Sequence, residues 1–590
     1  MTRLGLPRVP SSLTLRIPLR PSDYKYLTVD SDEQLGLTED GIGNRFSTPA
    51  RYLRWRQLST GIKAMLVTLA TLTCIAIQVM IVLLIRRQYA PVRDTGDLPD
   101  PYPWRKAFPI QDWAPLVHDW KDREYSEPYA DLSSFTPCEG PEGMTMPLQR
   151  ALRNVPIGHP KPAFGSYDLI NYSAPCMTYE QRYAPYQLEN NNLTADWRYY
   201  LDKCFIKNPR EKRQVVLIRA WQGFIWKKDD LLNLRALITE LGLNTGGLFD
   251  IAILVEVKDG SAYLVSESER AKILKTIPRE IRGLVHLWSE HEMHGLYPGL
   301  SSVFEGNPIH GAYRGLFMAA QKFALDHPEY DYVWHWELDI RYTGNYYEFF
   351  HKSAEWARKE PFDPTQRRSS KYLIPGFKNW TLTAGPLPPK INAQEADLIT
   401  FNIIFDQKGS KWVFERDLVN YPNGTDTPRR GSIITASRLS RRLLLKMNQV
   451  NGELRQATAS EAFPATVALH YGLKAVFVPH PVYQERLWDP EFESKYFNAP
   501  DLFRQEDMFE GTTYYYRNWH ARDVYMRWRN DEKTGSGEDI CRKPLLLHPI
   551  KEVLDVPKKN PKKEKTKQPT IDDPIFEDPE DAAVNNDLSY

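Results

Sequence analysis

Between residues 214 and 336 the chain alternates short apolar runs with stretches of helical period, and nothing else constrains its fold as strongly. Gln214–Trp221 (QVVLIRAW), Phe249–Val257 (FDIAILVEV), Gly283–Trp288 (GLVHLW) and Tyr330–Trp336 (YDYVWHW) are each dominated by apolar residues. Short runs of this kind read as strands buried on both faces. Between them, Lys228–Leu241, Ser268–Ile281 and Tyr313–Leu325 carry apolar residues at helical spacing. Strands linked by helices predict an α/β fold with a doubly wound, mostly parallel sheet of Rossmann type. Ligands on such sheets lie beyond the carboxyl ends of the strands, so residues there are read for function first.

A second feature sets the topology of the whole chain. Ala64–Ile85 runs for 22 residues without a charge. At about 1.5 Å per residue, a helix of that length spans a hydrocarbon core of about 30 Å. Residues 62–87 are therefore expected to form a transmembrane signal-anchor. A mean hydropathy of −0.52 leaves no room for a multi-pass transporter. Basic residues flank both ends of the span, with a slight excess before it, which leans toward a cytosolic N-terminal tail. Cys138, Cys176, Cys204 and Cys541 all follow the span, an even number that allows three disulfide pairings in an oxidising lumen. The sequons at Asn171, Asn192, Asn379 and Asn423 follow it too. Together these features predict a single-pass type II protein of the secretory pathway, with its C-terminal domain in the lumen.

The remaining organisation follows from composition. Residues 1–61 are polar and aperiodic and read as a disordered cytosolic tail. Residues 88–205 hold 15 prolines between 91 and 190, which disfavours long helices and suggests a stem whose later part wraps extended over the domain. The folded domain is expected at 206–556. Residues 557–590 pass from a lysine block to an acidic block and read as a solvated, disordered tail. A net charge of +1 argues against nucleic acid as a partner.

Chemistry concentrates at the end of the fourth apolar run, in Trp336-Glu337-Leu338-Asp339. On a strand, residues two apart share a face, so Glu337 and Asp339 are expected to point the same way. Two hard carboxylates held together suit Mg2+ or Mn2+. An ion held there would neutralise charge on a departing diphosphate.

The segment from Gly311 through Arg314 to YDYVWHWELD resembles the helix–strand unit of GT-A nucleotide-diphospho-sugar transferases. The run WELDIRYTGNYYEFF is similar to a fungal family of uncharacterised single-pass membrane proteins with a WExDxRYTG signature. The GT-A resemblance implies a GT-A-like fold and transfer of sugar from a nucleotide-diphosphate donor to a glycan or glycoconjugate hydroxyl. It places Glu337 and Asp339 on the metal, with Glu in place of the usual first Asp. It places Arg314 and Asp259 on the nucleotide sugar, with Glu256 as an alternative to Asp259. Glu461 would be the base of an inverting reaction, and His480 a late metal ligand, with His548 competing for that place.

Other positions carry less. Arg438, Arg441 and Arg442 read as a solvated basic helix face, and Asp397 as a weak candidate for the acceptor side. His291 and His294 have the wrong spacing for a metalloprotease helix, which needs i and i+4. Two rival functions stay open at this point: a non-catalytic lumenal scaffold with a degenerate GT-A fold, and a metal-independent hydrolase whose carboxylates flank a bond.

Overall fold

The computed structural model describes residues 136–144, 161–170, 176–188, 196–208, 213–258, 266–375, 394–410, 412–485, 488–499, 511–515, 519–530 and 541–551, with Gln78 and Phe509. The chain divides into two units, Met1–Pro101 and Tyr102–Tyr590, and the second holds every described residue except Gln78. The expected span Ala64–Ile85, apart from Gln78, and both expected tails lie outside the described residues. Among the described residues no helix is long and apolar enough to cross a membrane.

The apolar runs form β1 (Arg213–Trp221), β2 (Phe249–Glu256), β3 (Val285–Trp288) and β4 (Tyr330–Glu337). Three later strands join them: β5 (Leu398–Thr400), β6 (Ala436–Ser440) and β7 (Ala475–Phe477). The sheet runs β7-β5-β6-β4-β1-β2-β3. Every neighbouring pair is parallel except the two made by β6, which is antiparallel to β4 and to β5. The fold is thus mixed α/β around a large, mostly parallel sheet.

Both faces of the sheet are dry, as the continuous apolar runs require. Val216, Ile218, Ile251, Ile253, Trp334 and Trp336 build one core, while Val215, Leu217, Ala252, Leu254 and Val333 build another. The alternation follows the two-residue period of a strand, and each large side chain buried this way contributes about 1.5–3 kcal/mol. On the second face, α3 (Leu316–Asp326) packs against α5 (Arg441–Gly452). Helix α3 begins after Gly315, where a Cβ would press on the carbonyl oxygens of Ile309 and Gly311.

Helix boundaries depart from the periodicity for local reasons. The expected helix Ser268–Ile281 ends at Lys275, and Pro278 precedes a separate 3-10 segment, Arg279–Leu284; proline breaks a helix interior. Helix α2 (Lys228–Leu237) continues as a buried π segment, Ile238–Leu243.

Described residues before 206 contribute to the core. Helix α1 (Trp197–Lys207) buries Trp197, Leu201 and Cys204. Glu280 receives both Arg235 and the Trp197 indole, and Glu240 receives Arg182 and Tyr186. Disulfides join Cys138 to Cys204 and Cys176 to Cys541. Gly165, at φ +70°, crosses the His480 carbonyl so closely that a side chain there has no room. Asn423 is exposed in a turn, whereas Asn171, Asn192 and Asn379 lie outside the described residues.

Candidate metal centre

The strand order reverses between β1 and β4: β1 to β3 run outward on one side, and β4 returns to the other flank of β1. Crevices open at the carboxyl ends of strands where such a reversal occurs. Arg219, near the end of β1, stands in register with Glu337, the last residue of β4. Its Nη1 donates to Glu337 Oε1 at 2.8 Å. Strand β4 stops at Glu337, and Leu338 and Asp339 form a turn. The two carboxylates therefore meet through that turn rather than through the strand pleat.

A third group arrives from far along the chain. His548 Nε2 lies 3.2 Å from Glu337 Oε2 and 3.3 Å from Asp339 Oδ1. One ligand atom from each of Glu337, Asp339 and His548 falls within 4.8 Å of the others. The side chains of Glu337 and Asp339 are 24% and 21% exposed, while His548 is buried. The cluster is thus open to solvent from the carboxylate side.

The motif residues beyond the carboxylates hold this segment in place. Leu547 and Leu546 pair antiparallel with Arg341 and Tyr342. The Ile550 amide donates to the Asp339 carbonyl at 2.8 Å. The Thr343 hydroxyl donates to the Lys543 carbonyl at 2.7 Å and accepts from the Leu545 amide at 2.8 Å. Arg341 is buried on Asp230 of α2. So Glu337 and Asp339 supply charge, and Arg341 and Thr343 set where His548 stands.

The electrostatics follow from the packing. Burial alone would lower the His548 imidazole, but Asp339 and Glu337 outweigh it and push it up to about 10. Burial would raise Asp339; His548, Lys551 and Arg341 outweigh it and hold the carboxyl at about 2. The Nδ1 of His548 faces the Tyr515 carbonyl oxygen, which directs Nε2 at the carboxylates. Two carboxylates and an oriented imidazole nitrogen form a donor set that fits a divalent cation in place of the Nε2 proton.

Glu461 lies just before helix α6 (Phe463–His470). Burial raises its carboxyl, and the charge of Glu337 adds to the rise, while the Ser460 hydroxyl and Arg219 oppose it. Glu461 is therefore within electrostatic reach of the cluster. The Tyr514 hydroxyl, 3.0 Å from Thr435 Oγ1, is raised by burial and by the charge of the two carboxylates.

Several expected site residues stand elsewhere. His480 is buried with Nε2 3.1 Å from the Phe401 carbonyl and its ring against Tyr514; it is not a member of the cluster, whereas His548, the competing candidate, is. Arg314 is buried and fully used. Its Nε and Nη2 donate to Asp417 at 2.9 and 2.5 Å, Nη1 to the Ser302 and Asn307 carbonyls, and Nη2 also to Ser302 Oγ. With its donors committed to the protein, it is a strut rather than a phosphate ligand. Arg438 and Arg442 are buried on Glu395 and Asp397, not on a solvated face, and Asp397 is likewise taken up by that pair. Asp259 lies outside the described residues, and Glu256 is half-buried at the end of β2 with its carboxyl raised by burial. Sequence reasoning does not single out Arg219 or Tyr514. A basic residue near the carboxyl end of an apolar strand is the available sign for Arg219.

The chain matches the family described as "Protein of unknown function (DUF3405)" over residues 176–381 and 392–552, more than half its length, and belongs to that family. No curated protein matches it. Among solved structures it is similar to mouse xyloside xylosyltransferase 1 in its apo form, at 11% identity and a TM-score of 0.17, covering 45% of this chain and 78% of that one. A likeness that loose decides nothing about this chain.

Proposed function

We propose that this protein is a metal-dependent glycosyltransferase of GT-A type, moving a sugar from a nucleotide-diphosphate donor to a glycan or glycoconjugate hydroxyl. The observation that carries the reading is the convergence of Glu337, Asp339 and His548 beside the reversal of strand order. The WELD resemblance and the mostly parallel sheet support the same reading. The apolar run Ala64–Ile85, the late cysteines and the sequons support a Golgi type II setting.

Glu337, Asp339 and His548 would hold Mn2+ or Mg2+, which when bound supplies charge neutralisation at the departing diphosphate. Arg219 fixes one oxygen of Glu337, leaving the other turned toward His548. The carbonyl of Tyr515 fixes the imidazole. Glu461, with its raised carboxyl, takes the proton from the acceptor hydroxyl as that oxygen attacks the anomeric carbon.

The test is nucleotide release from a panel of nucleotide sugars by the full chain, with and without Mn2+. Metal-dependent release from one donor, lost in Glu337→Gln and Asp339→Asn, is the expected result. Sugar release that needs neither nucleotide nor metal would replace this reading with a hydrolase. No turnover and no binding of donor or metal would leave a scaffold.

A further inference from the structure

A second charged concavity lies on the C-terminal part of the fold, and none of Glu337, Asp339 or His548 lines it. Its volume is about 220 Å³. One wall is a face of helix α7 (His520–Arg529), because His520, Val524 and Arg527 follow one another at spacings of four and three. The opposing residues include Arg542, Leu545 and Glu485.

Arg542 is rigidly placed. Its neighbour Cys541 is disulfide-bonded to Cys176, and its own amide and carbonyl exchange hydrogen bonds with Met177 at 2.9 Å. Its side chain is less fortunate. The Nε is buried without a hydrogen-bond partner, and among the described residues neither Arg542 nor Arg527 has a carboxylate partner. Burial first, and the charge of Arg527 next, push the Arg542 guanidinium down to about 10. Burial and the same two arginines lower His520, against the opposing charges of Glu485 and Asp523.

Four buried arginines elsewhere are matched by carboxylates: Arg182 by Glu240, Arg314 by Asp417, Arg341 by Asp230 and Arg442 by Asp397. Desolvating a guanidinium without a counter-charge is costly. Two guanidiniums around one cavity are completed by an oxyanion, whose oxygens accept their forked N–H donors in pairs.

We propose that the cavity between Arg527 and Arg542 is a binding site for an oxyanion group, a phosphate or a carboxylate, carried by a small ligand or a glycan. The site stands whether or not the chain transfers sugar. Inorganic phosphate and glucuronate are the two probes, titrated into the full chain by calorimetry. Saturable binding of phosphate alone identifies a phosphate site, and binding of glucuronate identifies an acidic-sugar site; either result supports the proposal. Arg527→Gln and Arg542→Gln are each expected to weaken that binding by about tenfold, as loss of a charge-assisted pair does. Arg522→Gln, on the same helix but stacked on Trp519, is expected to leave it unchanged. Arg527 is exposed, so its variant reports on binding even where the Arg542 variant unfolds. Failure of both probes to saturate, or equal weakening by all three variants, overturns the site.

Discussion

The end of β4 and the closed polar interior use the same residue types to opposite ends. Arg219–Glu337 and Arg314–Asp417 are both arginine–carboxylate pairs. The first is about a quarter exposed and shares its carboxylate with a histidine; the second is 1% exposed and, among the described residues, shares it with no other cation. His548 and His480 are both buried. One meets two carboxylates and rises to about 10, whereas the other meets only backbone and aromatic rings, and burial takes it down to about 4. Residue type does not separate a site from a strut. What separates them is whether charge remains within reach of solvent after packing is complete.

Removing one partner of the closed pair breaks the comparison most severely. Arg314→Ala leaves Asp417 buried and unpaired, and is expected to cost about 3–5 kcal/mol in chemical denaturation. Arg219→Gln at the open pair is expected to cost under about 1 kcal/mol in the same measurement. Equal losses would mean that both pairs are struts.

The histidines give a pH test. His480 has its folded value depressed to about 4 against an ordinary value near 6.5. Between these two pH values the unfolded chain binds the extra proton, so stability falls as pH falls through the window. The loss approaches about 3 kcal/mol at pH 4. His480→Gln is expected to flatten the stability–pH curve by that amount relative to wild type, read from urea midpoints between pH 4 and 7. An unchanged slope would contradict a buried neutral His480.

Metal affinity should divide the same two residues. His548→Ala is expected to weaken Mn2+ binding by about tenfold or more, and His480→Gln to leave it within about twofold. Among the residues at the cluster, the smallest effect belongs to Arg219→Gln. It frees one oxygen of Glu337 without removing a ligand, and should change Mn2+ affinity by about threefold, in line with a partly exposed pair.

Much of the sheet is readable from sequence because burial on both faces writes itself as an uninterrupted apolar run. β1 is observed at Arg213–Trp221 against an expected Gln214–Trp221, and β2 at Phe249–Glu256 against Phe249–Val257. The short β5 is less readable: the apolar run LITFNIIF reads as one longer strand, yet only Leu398–Thr400 joins the central sheet, and Phe405 pairs separately with Gly431. Glu337 and Asp339 are readable together because they are two residues apart. Their histidine is not, since 211 residues separate His548 from Glu337 and no local pattern distinguishes it from His480. Arg314, Arg438 and Arg442 mislead for the same reason. Their partners Asp417, Glu395 and Asp397 are close only after folding, and an arginine read alone looks solvated or ligand-bound.

Titration of the full chain with Mn2+, followed by electron paramagnetic resonance, addresses the central claim most directly. One tight equivalent in the wild type, absent from both Glu337→Gln and Asp339→Asn while their folds persist, is the predicted result. A wild type that leaves all Mn2+ free, or variants that bind it unchanged, would contradict a cation held at the end of β4.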